Sequence, residues 1–171
     1  MRLYINVKKG SKKADESLKN IGYISHCPQC LYRQINKGLA VATPKICPEC
    51  EEKLIQSGPL WLGEIQNKKF IEEMIEEANN KKINTEKSVI KLLNSCLIES
   101  NAPATFYNIH FISKILKISA PKLELVFKRL KEENYIAIKT HFNPLGIKTN
   151  APISKLKKIV KDLVDEEQSI I

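Results

Sequence analysis

A chain of 171 residues can bury a real core, as one compact domain or two small ones. It holds 28 Lys+Arg against 19 Asp+Glu, a net charge of +9. It has no apolar run long enough to span a bilayer and no signal-peptide pattern, which excludes a helical membrane protein and predicts a soluble, cytoplasmic one. The charge is uneven. Residues 1–50 carry nine basic against three acidic side chains, residues 51–100 seven against nine, and residues 101–171 twelve against seven. Basic ends flanking a near-neutral middle suit a nucleic-acid partner, since clustered Lys and Arg displace counterions from phosphates. An ordinary solvated surface accounts for the same charge.

Leu3, Ile5 and Val7 alternate over residues 2–7 and predict a strand. A strand at the very start predicts a partner preceding it. Lys8, Lys9, Lys12 and Lys13 lie in a Gly/Ser turn, and a short helix over Ala14–Asn20 and a strand over Ile21–Ser25 follow. The strand leads into Cys27-Pro28-Gln29-Cys30, which is matched by Cys47-Pro48-Glu49-Cys50 after a 16-residue spacer. Two residues between thiols let both sulfurs reach one ion from a tight turn, and the spacer allows a hairpin to bring the second pair round. The expectation is a closed, structural four-cysteine zinc ribbon, with an iron–sulfur site or unmetallated thiols the alternatives. His26 could replace a ligand but reads better as a surface residue. Cys96, the fifth cysteine, sits on an apolar helix face and reads as a small core hydrophobe.

Gly58-Pro59-Leu60-Trp61-Leu62-Gly63 predicts a turn or extended loop. Asn67 caps a helix with Phe70, Ile71, Met74, Ile75 and Ala78 on one face, and residues 79–83 read as a linker. Thr85 caps a helix with Val89, Leu92, Leu93, Cys96 and Leu97 inward. Asn108 starts a short helix, and Ser119 and Pro121 open a third with Leu123, Val126, Phe127 and Leu130 inward. A strand over Tyr135–Thr140, a loop with Pro144 and Gly146, and a last amphipathic helix from Pro152 complete the chain. This order predicts a winged helix-turn-helix. The fold class is therefore α+β: a small N-terminal β-α-β segment with a four-cysteine zinc ribbon over residues 1–66, a connecting helix and linker over 67–83, and a winged-helix domain with a C-terminal helix over 84–171.

Lys128 and Arg129 on the third helix, with His141 and Lys148 bracketing the wing loop, are candidate phosphate contacts beside the N-terminal lysines; ordinary solvated surface is the plainer reading. Trp61 beside Gly63 is a candidate for a domain seam. No catalytic constellation is present: there is no Gly-rich cofactor loop after a strand, no Walker sequence and no nucleophile elbow.

These segments together resemble the C-terminal half of the tRNA (guanine-26-N2)-dimethyltransferases of archaea and eukaryotes. Residues 2–8, Gly22-Tyr23, the two CxxC pairs, Gly58–Gly63, Phe70-Ile71, Phe106-Tyr107 and the run Thr140-His141-Phe142-Asn143-Pro144-Leu145-Gly146-Ile147-Lys148-Thr149-Asn150-Ala151-Pro152 carry the likeness. The resemblance implies the zinc ligands residue by residue and tRNA as partner. It also implies an N-terminal Rossmann-like methyltransferase domain or subunit that binds S-adenosylmethionine and methylates guanine N2. That domain has no counterpart in this sequence, so the chain by itself is expected to be inactive. A zinc-ribbon and winged-helix DNA-binding transcription factor is the alternative.

Overall fold

A computed structural model describes residue 7 and residues 9–81 and 84–168. The strand expected over residues 2–7 lies outside the described residues, apart from Val7, which is exposed. Helix α1 runs Ser11–Lys19, starting earlier than expected. Gly10, at φ 156°, lets the chain turn, and its carbonyl accepts from the Ala14 N–H at 3.1 Å. The helix buries no residue, so Lys12 and Lys13 stand on an exposed helix rather than in a turn.

Three antiparallel strands follow: β1 (Ile21–His26), β2 (Arg33–Lys37) and β3 (Ile55–Trp61), in the order β2-β1-β3. Ile24 faces Ile35 on β2 and Ser57 on β3, and His26 faces Arg33 and Ile55. The stretch read as a loop at Gly58 is largely strand. β3 is an edge strand whose register shifts opposite residues 22–24, and Pro59 falls at that irregularity, where a missing ladder N–H is tolerated.

Contacts divide the chain into residues 1–63 and 64–171. The second unit begins with α2 (Lys68–Asn80), capped by the Asn67 side chain, which accepts from the Phe70 N–H at 3.1 Å. Helix α3 (Glu86–Glu99) packs on it, so residues 67–80 belong to this unit instead of linking two domains. Two expectations fail here. Phe70 and Met74 are exposed while Ile71 and Ala78 are buried, and the Thr85 side chain makes no capping bond. A two-residue strand β4 (Tyr107–Asn108) precedes α4 (Ile109–Leu116), then come α5 (Leu123–Glu132), β5 (Ile138–Lys139), β6 (Gly146–Lys148) and α6 (Ile153–Gln168). The second sheet is antiparallel, β4-β6-β5. Its strands are shorter than the sequence suggested. Ile109, Ile112, Val126, Leu130, Leu156 and Val160 from α4, α5 and α6 form the core at helical spacing.

Among the described residues the fold is α+β, with six helices and two three-stranded antiparallel sheets, and no helix is long and apolar enough to cross a membrane. Gly22 sets the close approach of β1 to β2: a Cβ there would lie 2.2 Å from the Asn36 carbonyl oxygen and 2.9 Å from the Lys37 Cα. Backbone cannot give way as a side chain end would. Gly22→Ala is therefore expected to destabilise the first unit by about 1–3 kcal/mol, read from its denaturant midpoint.

Candidate metal centre

Strand β1 delivers Cys27 and Cys30, and β2 departs from them. The second pair, Cys47 and Cys50, leads through residues 51–54 into β3. Both turns have the same construction. The first cysteine's N–H donates to the carbonyl five residues on (Cys27 to Tyr32 at 2.9 Å, Cys47 to Glu52 at 2.8 Å). Its own carbonyl accepts from the residue four on (Leu31 at 3.0 Å, Glu51 at 2.9 Å). Closing so tight a turn places Leu31 and Glu51 at φ 66° and 60°, the left-handed region that favours glycine.

The four sulfurs all lie within 4.8 Å of one another. Sγ of Cys27 is 3.4 Å from that of Cys50, and Cys30 Sγ is 3.5 Å from Cys47 Sγ. These separations are far longer than a disulfide bond. The Cys30 backbone N–H points at Cys27 Sγ, 3.5 Å away. Cys27 and Cys47 are fully buried and, with Leu54, form the small core of this region. The thiols titrate apart. Burial opposes ionisation of Cys27, yet the Cys30 N–H and the Cys50 and Cys30 side chains hold its pKa down to about 7. Burial pushes Cys30 up to about 12, and the Cys47 thiol adds to the rise. For Cys50 the Glu52 N–H favours the thiolate, but burial and the Cys27 thiol outweigh it and raise the value. Four adjacent thiolates repel one another, so full ionisation needs a cation among them. The donor set fits a soft divalent metal, and the four side chains could hold one. His26 stands half-buried at the end of β1, outside the set of four, and Cys96 is half-buried on α3 with burial raising its pKa.

A polar ladder not anticipated from sequence braces both turns. The fully buried Ser25 hydroxyl donates to Gln56 Oε1 at 2.8 Å and accepts from Asn36 Nδ2 at 2.7 Å. Gln56 Nε2 in turn donates to the Pro44 carbonyl at 2.8 Å. Three strands and the segment before the second cysteine pair are tied by one chain of satisfied hydrogen bonds.

The second unit has its own buried polar centre, Glu99, 2% exposed at the end of α3. Its Oε2 is 2.5 Å from His141 Nδ1 and accepts from the His141 N–H at 3.2 Å, while Oε1 is 2.9 Å from Lys148 Nζ. The lysine contact is an ion pair off the hydrogen-bond direction. Burial would raise the Glu99 pKa; the His141 ring and the Lys148 ammonium overcome it and hold the carboxyl below its usual range. The hairpin bearing these partners is closed by Thr140, whose hydroxyl donates to the Asn143 carbonyl at 2.7 Å and whose side chain fills the space a Cβ on Gly146 would need. Glu99 escapes a sequence reading because it is one more glutamate at a helix end, 42 residues from His141 in the chain.

The candidate basic residues separate accordingly. Lys148 is 8% exposed and committed to Glu99, and His141 is held on the same carboxylate, so neither is placed as the surface phosphate contact expected. Arg129 forks onto both oxygens of Glu166 at 2.9 Å and is occupied in joining α5 to α6. Lys9, Lys12, Lys13 and Lys128 are exposed; Lys8 lies outside the described residues. Lys128, Lys131 and Lys139 line a shallow groove of about 470 Å³ with Glu124, Phe127 and Ala137. Trp61 ends β3 half-exposed, and its indole lies over Gly63, where a Cβ would come within 2.7 Å of it.

Fold and site thus define a basic α+β chain of two units, the first built round a four-thiol centre. A family profile described as N2,N2-dimethylguanosine tRNA methyltransferase matches residues 1–161. The tRNA (guanine(26)-N(2))-dimethyltransferase of Methanobrevibacter smithii is 70% identical over 163 residues, which are 95% of this chain and 42% of that protein. The enzyme of the same name from Methanothermobacter thermautotrophicus is 42% identical over 97% of this chain and 43% of its own length. The structure of Trm1 from Pyrococcus horikoshii with S-adenosyl-L-methionine superposes with a TM-score of 0.75 at 31% identity, over 90% of this chain and 38% of that one. The chain belongs to the N2,N2-dimethylguanosine tRNA methyltransferase family, and it spans about two fifths of the length of these relatives.

Two outcomes are expected from this geometry. Glu51→Gly, exposed and at positive φ, should stabilise the first unit by about 0.5–1 kcal/mol in chemical denaturation, the left-handed strain relieved exceeding the entropy glycine adds to the unfolded chain. Glu99→Gln leaves the buried Lys148 ammonium without its counter-charge and should cost about 3–5 kcal/mol. The Glu99 contribution is fully present above the unfolded carboxyl pKa of about 4.3 and is lost as pH falls from there through the lower folded value. The stability gap between parent and Glu99→Gln should therefore narrow below about pH 4.3.

Proposed function

We propose that this chain is the zinc-stabilised, tRNA-holding portion of a tRNA (guanine-26-N2)-dimethyltransferase. The family match over residues 1–161 carries the reading, and the thiol cluster supports its metal. A tetrahedral zinc tetrathiolate with Zn–S of about 2.3 Å needs sulfurs about 3.8 Å apart, close to the spacings here. Four thiolates leave no open position for water, so the zinc braces β1, β2 and β3 and performs no chemistry. S-adenosylmethionine-dependent transfer to guanine N2 belongs to the portion of the enzyme that this chain does not span. The exposed indole of Trp61 over Gly63 would lie at the seam with that portion.

The second unit reads as a winged helix: α3, β4, α4, α5, β5 and β6 follow the order of that fold, and β4-β6-β5 is its sheet. Its third helix, α5, carries Lys128 and Lys131 beside Lys139, and α1 carries Lys12 and Lys13, with Lys9 just before it. These ammonium groups would meet tRNA phosphates, which position the substrate without reading its sequence.

Elemental analysis should find one zinc per chain, with Cys27→Ser and Cys47→Ser each losing it. Reversing Lys9, Lys12 and Lys13 to Glu should weaken tRNA binding and lower the salt slope, log Kd against log salt, by up to about 3. An unchanged slope sinks the α1 contribution, and preference for duplex DNA over tRNA in direct competition sinks the assignment of substrate.

A further inference from the structure

Phe127 falls on the apolar spacing of α5, yet the core does not absorb it. Val126 and Leu130 are fully buried, while Phe127 is half-buried and forms a wall of the shallow groove between α5 and β5. Glu124, Phe127, Lys128 and Lys131 line that groove from α5, and Ala137 and Lys139 line it from the start of β5. The Lys139 ammonium stands over the Phe127 ring, 5.6 Å from its centre, on an exposed side chain. One face of the ring is therefore turned to the open side of the groove. Three lysines stand against one glutamate in the lining, and their carboxylate partners hold them loosely. Lys139 meets Glu124 at 3.1 Å and Lys128 meets Glu132 at 3.9 Å, all four side chains being exposed. Among the described residues, Lys131 enters no ion pair. Arg129 and Lys148, by contrast, are committed to their carboxylates.

An aromatic face with a surplus of lysines suits a ligand that is flat and anionic at once. We infer that the groove holds one unpaired nucleotide of an RNA single strand, its base stacked on Phe127 and its phosphate between Lys128 and Lys131. The inference rests on the functional reading above and deepens it, since that reading gives these lysines phosphates alone. Lys128 and Lys131 are three residues apart on one helix face, close enough to share a phosphate. A groove of about 470 Å³ is the size of a small-molecule site and admits a base with its sugar. A duplex keeps its base faces within the stack and offers none to the ring. Lys139 must leave the ring for a base to enter, and magnitudes decide whether it does. An exposed cation–π contact is worth about two- to fivefold, and this one lies near the outer limit of about 6 Å. An exposed ion pair is worth about fivefold at most. A base stacked on an aromatic side chain is worth about 5- to 150-fold, and Lys139 gains a phosphate in place of Glu124. An acidic peptide would engage the lysines and leave the ring unused.

Fluorescence anisotropy on the full chain tests this with three labelled probes: hexauridylate, whose bases are already unstacked, the same hexamer with every base removed, and a blunt RNA duplex. Hexauridylate should bind at least about fivefold tighter than the abasic hexamer. Phe127→Leu keeps the apolar bulk and loses the ring face; it should abolish that preference with the salt slope unchanged, and Phe127→Tyr should retain it. Lys131→Gln should do the reverse, lowering the slope by about 0.7 and leaving the preference. Independently of any variant, nuclear Overhauser contacts should join the Phe127 ring to uracil protons in the parent chain. Equal affinity for hexauridylate and the abasic hexamer, a preference that survives in Phe127→Leu, or no contact from the ring to uracil overturns the inference. So does a duplex bound as tightly as the single strand, which would mean phosphate contacts alone, or a hexaglutamate peptide that competes as well as unlabelled hexauridylate. If uracil stacks on Phe127 but tRNA neither binds the chain nor displaces hexauridylate, the functional reading falls and the groove stands. If tRNA binds and the abasic hexamer matches hexauridylate, the groove falls and the functional reading stands.

Discussion

Four sulfurs brought within 4.8 Å of each other are the constraint from which the first unit follows. A unit of 63 residues buries little apolar surface, and here the buried set around the turns is Cys27, Cys47 and Leu54, with Cys30, Tyr32 and Cys50 packed on it. The thiols are themselves the core. So small a core offsets little chain entropy, and a metal held by the four thiols would do for it what burial does in larger domains. Everything else in the unit serves the convergence: two identically built turns, two residues held at positive φ, and a buried hydroxyl that links three strands behind them.

The second unit solves a different problem in a different way. Its helices have ample apolar faces and need no staple. What remains to be fixed is the β5–β6 hairpin, which has only short strands to hold it. Glu99 fixes it by drawing His141 and Lys148, from the two sides of the hairpin, onto one buried carboxylate. An ion pair this deep adds less to stability than its geometry suggests, because desolvation offsets most of the attraction; what its geometry does is tie both sides of the hairpin to the end of α3. The run from Thr140 to Pro152, one of the segments that carry the resemblance to the family, is thereby explained as architecture. Thr140, Asn143 and Gly146 close the turn, His141 and Lys148 clamp α3, and Thr149 accepts from the Ala151 N–H at 3.1 Å just before α6.

The zinc-type spacing, most helices and the apolar positions of α4, α5 and α6 were legible in the sequence, because each rests on local periodicity or fixed ligand spacing. The misreadings share one cause. Phe70 and Met74 satisfy helical periodicity yet face solvent, since periodicity gives a stripe but not which part of it meets a neighbour. Gly58-Pro59 reads as a break and lies in a strand, since only the edge position and the shifted register make proline acceptable there. Arg129 and Lys148 read as available cations and are occupied, since their carboxylates are 37 and 49 residues away in the chain.

What the sequence by itself determined is chemistry set by near neighbours: two thiol pairs of the right spacing, the caps Asn67 and Asn108, the net positive charge, and the family resemblance of its motifs. What only the tertiary structure decided is which charges remain at the surface, which polar side chains of the first sheet are buried, and which glutamate the signature histidine and lysine bind. Those are questions of pairing between distant segments. A side chain's type sets what it can bind, but its electrostatic and apolar role is fixed only once the fold has chosen what stands opposite.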